Sequence, residues 1–442
     1  MAKIKSAYRQ VGALSLGVVA ALLTACGGGG GSTGDNGGST TGPVVSSQAG
    51  PVSVTLPTYG GYEYWMAYQD GDGPWKAATR SADGFSFQVE DKAGKYAVML
   101  VQEANSPRTA DLPPSVLAYH LTRAESANID LRPLPDSRTD YMTVQFTQQG
   151  APASGTCAVA LGSRASTSGG CDTLASRRLS VPMARMDAFA VHLNDSGAAD
   201  ALVIQRDLDM RSITALNFDF TKAVALPAPS QTSALTGYVP IAGETLSRMA
   251  SLVSRSGQIR LALGSQTTLA YPLVPAGALR SDDTYVVSAT ARMVQGTVTA
   301  RRSASYQSAV GAAQPLTLPP YAGPLALGGS AARPTMTWTP VTGSTLTDIF
   351  ALDLSGLGPT IDFTFSAGWI GGARTVTYTV PDLTGLGWKP SWNLNRQTRM
   401  TVYYTESFTS RPTPAYFAGL PSEKVEDQTS WFTQMSSEVS IP

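Results

Sequence analysis

From residue 52 onward, apolar residues recur at every second position in short runs, and polar, glycine or proline residues separate the runs. Val52 to Leu56 alternates, Tyr62 to Tyr68 (YEYWMAY) is aromatic, and Phe85, Phe87 and Val89 fall on one face of FSFQVE. A period of two predicts half-buried strands. Tyr96 to Gln102 (YAVMLVQ) is richer in apolar residues, which predicts a central strand. QDGDGPW and DKAG supply the intervening turns, with Gly94 free to take a positive backbone angle. His120 lies in the strand-like SVLAYHLT, and Ile129, Leu131 and Leu134 suggest a further extended run.

The rest of the chain repeats this grammar. YMTVQFTQ (141–148) places Met142, Val144 and Phe146 on one face, and CAVALG, FAVHLND, ALVIQRDLDM and ALNFDFTKAV follow. A further block opens near Ser233 and runs through QIRLALG, TLAYPLV, TYVVSATARMV and TVTARRSASYQ to about residue 308. After a Pro/Gly-rich junction come TMTWTP, DIFALDLS, IDFTFSAGWI, RTVTYTVPDL, RMTVYYTESF and TSWFTQMSSEV. AGETLSRMASLVSR (242–255) spaces Leu246, Met249 and Leu252 almost as a helix would, but its place among strands favours an extended pair. No βαβ pattern appears. The expected fold is all-β: tandem antiparallel β-sandwich domains. A transmembrane β-barrel would also alternate, but the short strands and the segment that precedes them argue against one.

That preceding segment reads GGGGGSTGDNGGSTTGPVVSSQAG (27–50) and offers almost nothing apolar to bury. Ordering it would cost entropy without return. As a flexible coil it would span roughly 25–30 Å, a tether between an anchor and a folded body. Upstream, Lys3, Lys5 and Arg9 form a positive flank, and residues 11–25 are apolar or small. This is the pattern of an export signal, and the run is too short to span a bilayer as a helix. Leu23-Thr24-Ala25-Cys26 resembles the lipobox of bacterial lipoproteins. The resemblance covers only residues 1–26 and implies cleavage before Cys26, a thioether-linked diacylglycerol and an acylated new N-terminus. Its partner is then membrane lipid, and several acyl chains make that anchor stable. Gly27 stands where an Asp would resemble an inner-membrane retention signal, so a Gram-negative host would place the protein at the outer membrane.

Residues 51–442 exceed the usual size of one core. The expected division is a signal peptide at 1–25, a lipidated cysteine and tether at 26–50, and sandwich-like or β-rich domains at 51–135, 136–231 and 232–310. A linker at 311–330 and a sandwich-like domain at 331–442 complete it. Trp338, flanked by threonines, resembles the buried tryptophan of fibronectin type III and immunoglobulin-like sandwich domains. Without Lys3, Lys5 and Arg9 the chain carries 29 basic against 32 acidic residues, a formal −3. That balance, with no basic stripe, argues against nucleic acid as a partner.

Cys157 and Cys171 enclose a polar Gly/Ser-rich loop. Export would favour a disulfide between them, worth about 3 kcal/mol on the chain-entropy account. A metal site would need further ligands, and the only histidines, His120 and His192, are remote in sequence. Asp70-Gly71-Asp72-Gly73 fails the EF-hand pattern, since Pro74 and Trp75 occupy its fifth and sixth positions, and it suits a hairpin turn. Asp207 and Asp209 could share a strand face, without an evident acid partner. No HExxH, Gly-x-Ser-x-Gly or phosphate-loop sequence is present. No catalytic residue, metal ligand or cofactor is therefore expected, and the expected role is non-enzymatic binding or scaffolding in the cell envelope. The alternative is a carbohydrate-active enzyme or carbohydrate-binding module. Tyr59, Tyr62, Tyr64 and Trp65 suit sugar stacking but more often fill cores. Trp388 and Trp392, in the turn-rich GLGWKPSWNLN, are the candidate contacts for a glycan or an envelope protein, with burial over the end of a sandwich as the competing expectation.

Overall fold

A computed structural model of the chain describes residues 48–56, 62–105, 113–131, 141–161, 165–171, 176–254, 257–308, 311, 314–330, 332–353, 358–394, 400–409 and 428–439. Cys26, most of the Gly/Ser-rich segment, Tyr59 and Leu134 lie outside the described residues.

The chain is all-β, as its alternation predicts. The first block forms β1 (Gly50–Thr55), β2 (Tyr62–Asp70), β3 (Lys76–Ala77), β4 (Gly84–Val89), β5 (Lys95–Ala104), β6 (Ser115–Thr122) and β7 (Asn128–Asp130). The second forms β8 (Tyr141–Gln149), β9 (Thr156–Leu161), β10 (Ala165–Gly169), β11 (Ser176–Pro182), β12 (Arg185–Leu193), β13 (Ala199–Asp209), β14 (Ala215–Asp219) and β15 (Val224–Ala225). The third forms β16 (Gln231–Ala234), β17 (Glu244–Val253), β18 (Gln258–Gly264), β19 (Thr268–Tyr271), β20 (Thr284–Gln295) and β21 (Val298–Ser308). The last forms β22 (Ala326–Gly329), β23 (Pro334–Trp338), β24 (Leu346–Asp353), β25 (Thr360–Ser366), the one-turn helix α1 (Ala367–Ile370), β26 (Val376–Thr379), β27 (Met400–Thr409) and β28 (Gln428–Val439). Among the described residues no helix is long and apolar enough to cross a membrane.

Strands from three blocks join in one open twelve-stranded sheet, ordered β18-β17-β20-β21-β28-β27-β24-β25-β6-β5-β2-β3. Its ladders are antiparallel except where β25 runs parallel to β6. The run YAVMLVQ on β5 explains its apolar character here. Tyr96, Val98 and Leu100 turn to one face and Ala97, Met99 and Val101 to the other, and each is at most 1% exposed. The three-stranded sheet β4-β1-β7 covers the first set with Val52, Val54, Phe85 and Phe87. The three-stranded sheet β22-β23-β26 covers the second with Met336, Trp338 and Tyr378. Trp338 is thus a buried sandwich tryptophan, 1% exposed.

Residues 51–135 and 331–442, expected as two domains, therefore share a core. One register row, Met99–Ala118–Phe363–Ile349–Tyr404–Met435, runs through it from the first block to the last. The physical reason is that a period of two reports which face of a strand is buried, not which strand lies beside it.

The second block is a sandwich of β11-β8-β14 on β10-β9-β12-β13-β15. Its core holds Val144, Phe146, Val159 and Phe218 together with Cys157 and Cys171, which are joined as a disulfide. The outer face of β9 and β12 (Ala160, Phe189, Val191) packs on Leu252, Ile259, Leu261 and Tyr285 of the third block. A charged clamp reinforces this contact: Arg206 donates to Asp187 at 2.9 Å and to Asp283 at 3.0 Å.

Residues 242–255 contribute a strand, β17, not a helix. Its inward row includes Arg248, which is fully buried. The guanidinium donates to the Ser233 carbonyl at 2.9 Å, the Thr267 carbonyl at 2.6 Å and the Ser233 hydroxyl at 2.8 Å. The segment 311–330, expected as a linker, packs as well. Leu316 and Leu318 close the third block's core, the Tyr321 hydroxyl donates to Glu244, and β22 begins within it.

Candidate functional site

The face of the large sheet opposite Tyr404 and Met435 carries polar residues. One register row crosses it: Thr245 on β17, Arg292 on β20, Arg301 on β21, Gln434 on β28, Thr405 on β27, Asp348 on β24, Thr364 on β25 and Tyr119 on β6. Alternation creates the row, because the intervening positions Ala291, Ala300, Ala304 and Val402 are committed to the buried face. At the cationic end, Thr245, Ser247, Thr290, Arg292, Thr299, Arg301, Tyr403 and Gln434 line a trough of about 510 Å³. Among the described residues, none of those lining it is acidic.

The trough is built on the β20–β21 hairpin, whose turn places Gly296 at φ +60°. Arg292 and Arg301 face each other directly across this hairpin. The arginine after them separates the two faces: Arg302 turns inward, donates to Glu244 at 2.9 Å and lies over the rings of Tyr238 and Tyr321 at 5.5 and 4.8 Å. Burial, then the charge of Arg292, lowers the Arg301 pKa. The polar walls are tied together. Thr290 and Ser303 hydroxyls meet at 2.8 Å, and the Gln434 amide donates to Thr405 at 3.1 Å. Tyr403 presents a ring beside Phe350, with centroids 6.1 Å apart.

Three strand spacings beyond Arg301, roughly 14 Å, the same face turns acidic. Asp348 accepts from the Thr364 hydroxyl at 2.8 Å, and Asp362 is its diagonal neighbour across the β24–β25 ladder. Burial raises the Asp348 pKa to about 6, with the Thr364 bond opposing. Burial and then the Asp348 charge raise that of Asp362 to about 7. Tyr119 is pushed upward by burial and by both acids.

The tryptophans expected as ligand contacts lie on the opposite face. Trp392 is 2% exposed: the indole belongs to the core, which is the competing expectation of burial, and is not placed as a ligand contact. Trp388 is half-buried. Both close on Trp65 of β2, with centroids 5.7 Å (Trp388) and 5.3 Å (Trp392) away. Each indole N–H has an acceptor: Trp65 donates to the Leu386 carbonyl at 3.1 Å, Trp388 to Asn393 at 2.8 Å and Trp392 to Glu103 at 3.4 Å. Lys389 pairs with Glu103 above the Trp392 ring. The loop thus seals the first block to the last.

The remaining sequence candidates are structural in their placement. Asp70 accepts from the backbone of Glu90 and Asp91, at 3.0 Å each, in its turn. Asp207, at φ +56°, pairs with Arg280, and Asp209 pairs with Arg211. The His192 ring contacts Asp200 at 2.5 Å and the Ser154 carbonyl at 2.7 Å. Among the described residues no group of three or more His, Cys, Asp or Glu is placed to hold a metal ion. The trough was missed because its residues span positions 245 to 434 and become neighbours only through strand order. The one local signal was TARMVQGTVTARR, a strand hairpin with arginines at matched positions.

No family model matches this chain, and no curated protein matches it. A solved structure described as a tetra-tandem repeat in the extending region of a large adhesion protein is 10% identical, covers 89% of this chain and 99% of its own, and aligns with a TM-score of 0.16. A likeness of that size carries no argument about fold or role.

Proposed function

We propose that this chain is a lipid-anchored protein of the cell envelope that binds or scaffolds rather than catalyses. The observation that carries the reading is the trough: a concave, hydroxyl- and arginine-lined surface of about 510 Å³ on a sheet face shared by the third and last blocks. Concave sites with a few convergent polar groups are where ligands bind. The lipobox-like LTAC at Cys26 supports the anchor, and with it a partner in membrane lipid. The binding test is a glycan and cell-envelope ligand screen, with wild type beside a Ser247→Trp variant that fills the trough. Binding lost in the variant at unchanged Tm is expected; no ligand for wild type, or equal binding by both, overturns it. For the anchor, Cys26→Ser should abolish labelling with palmitate, and normal labelling would overturn it.

A second reading, a carbohydrate-active enzyme, is favoured by one observation. Asp348 and Asp362 sit diagonally on the same face with upward-shifted pKa values, and paired carboxyl groups of differing protonation are what glycoside cleavage uses. Release of new reducing ends by wild type and not by Asp362→Asn would support it.

A further inference from the structure

We propose that β17 pairs edge to edge with β17 of a second copy of this chain, about a two-fold axis normal to the large sheet. This goes beyond the reading of the trough and holds whether or not the trough takes a ligand. β18 covers β17 only from Arg248 to Val253. Thr245, Leu246 and Ser247 are therefore paired with β20 on one side and, among the described residues, with nothing on the other. Two neighbours fix the direction of their backbone groups. Glu244 gives its N–H to the Ile241 carbonyl at 2.9 Å instead of to β20, and Leu263 of β18 gives its N–H to the Gly197 carbonyl at 2.9 Å, away from β17. Backbone groups alternate in direction along a strand, so Arg248 faces Gly264 and Leu246 presents its N–H and C=O to the open side.

This edge lacks the guards that exposed strands carry, which are charges, prolines and bulges. The far end of the same sheet has them: β3 is two residues long with Lys76 exposed, and beyond it β2 exposes Glu63. Around β17, the entering loop GYVPIAG (237–243), the turn GSQT (264–267) that leaves β18 and the hairpin tip VQGTV (294–298) carry no charge. The large apolar side chains exposed among the described residues all lie on these segments or on β18: Val239, at 73%, with Ile241, Leu263 and Val294. Exposed apolar surface gathered in one place marks an interface. A second copy is the occupant that fits. A two-fold axis sets like surfaces together, so a charged edge repels its own copy and this neutral one does not. With Leu246 opposite Leu246, the two chains exchange a pair of backbone bonds, and Thr245 of each copy meets Ser247 of the other on the trough face. The two Arg292 side chains, each across from Thr245, then stand three strand spacings apart, roughly 14 Å, beyond the screening length of about 8 Å at physiological salt. The two troughs become one continuous surface.

The test uses the full chain in detergent and reads its mass by sedimentation over a range of concentrations. Wild type should pass from one chain to two as concentration rises. Thr245→Lys with Ser247→Lys should weaken the pairing by about tenfold or more, because like charges then oppose one another across the seam. Thr245→Glu with Ser247→Glu should do the same. Both positions are exposed, so Tm should hold. Mixing the Lys and Glu double variants should restore the two-chain species, since Lys then faces Glu in both pairs. All these proteins share one N-terminal segment, so a change that follows Thr245 and Ser247 belongs to the edge. Wild type that stays single throughout, a Lys double variant that pairs as wild type does, or a mixture that stays single overturns the inference.

Discussion

His120 of β6 stacks on Phe365 of β25, ring centroids 4.4 Å apart and planes 20° from parallel, across the one parallel ladder of the large sheet. Trp369 and Tyr378 close around the imidazole with centroids at 4.9 and 4.5 Å. Burial lowers its pKa to about 3, opposed in part by the backbone of Thr364. Below the ordinary value near 6.5 the unfolded chain takes up a proton that the folded chain refuses. Stability from this residue is therefore complete above about pH 6.5 and falls until about pH 3, by at most about 1.4 kcal/mol per unit. His120→Phe should remove that slope. Urea midpoints at pH 7 and pH 5 will check it: relative to the variant, wild type should lose stability over this interval.

Asp348 and Asp362 work in the other direction. Their folded-state pKa values, about 6 and about 7, lie above those of the unfolded chain. Their contribution is intact below about pH 3.8 and is lost as pH rises through both folded values. Asp362→Asn should raise the urea midpoint at pH 8 and change it little at pH 4. An unchanged midpoint at pH 8 would refute the coupling.

Arg206 holds two buried acids at the seam between the second and third blocks, Asp187 and Asp283. Arg206→Ala removes the guanidinium that pairs with both buried acids, so about 3–5 kcal/mol should be lost. Arg206→Ala with Asp187→Asn and Asp283→Asn should recover much of it. Thermal melts of the three proteins distinguish loss of charge pairing from loss of packing.

Trp392 and Trp388 should differ although only three residues separate them. Trp392→Ala opens a cavity in the shared core and should cost about 3–5 kcal/mol. Trp388, half-buried with its N–H on Asn393, should cost less on the same substitution. Equal losses by denaturant titration would contradict the placement of the two indoles.

Much of the fold is readable from individual strands. The alternation of Met142, Val144 and Phe146, the doubly apolar run at Tyr96–Gln102 and the turn at Asp70–Gly73 all appear as read. The Cys157–Cys171 pair is likewise in place. What the chain does not announce is adjacency. Nothing in SVLAYHLT points to IDFTFS, although these segments form the β6–β25 ladder. Nor does hydropathy foresee Arg248 inside a core, because its stem is apolar and its head is satisfied by carbonyls distant in sequence. Trp392 misleads for a related reason. Glycine and proline mark a loop, but a loop can fold back and cap a core. The trough fails the same test, since its two arginines are legible and the adjacency of its other three strands is not.

The interleaving of strands also sets an order of events. β28 lies between β21 and β27, so the third and last blocks join in that sheet only through residues that follow every other described strand. The β6–β25 ladder closes a separation of 245 residues, and distant pairings of this kind form slowly. Until then, β6 and β21 each present an open edge, the template on which chains aggregate. A chain emerging from its N-terminal end must therefore be held apart from its neighbours until residues 428–439 arrive.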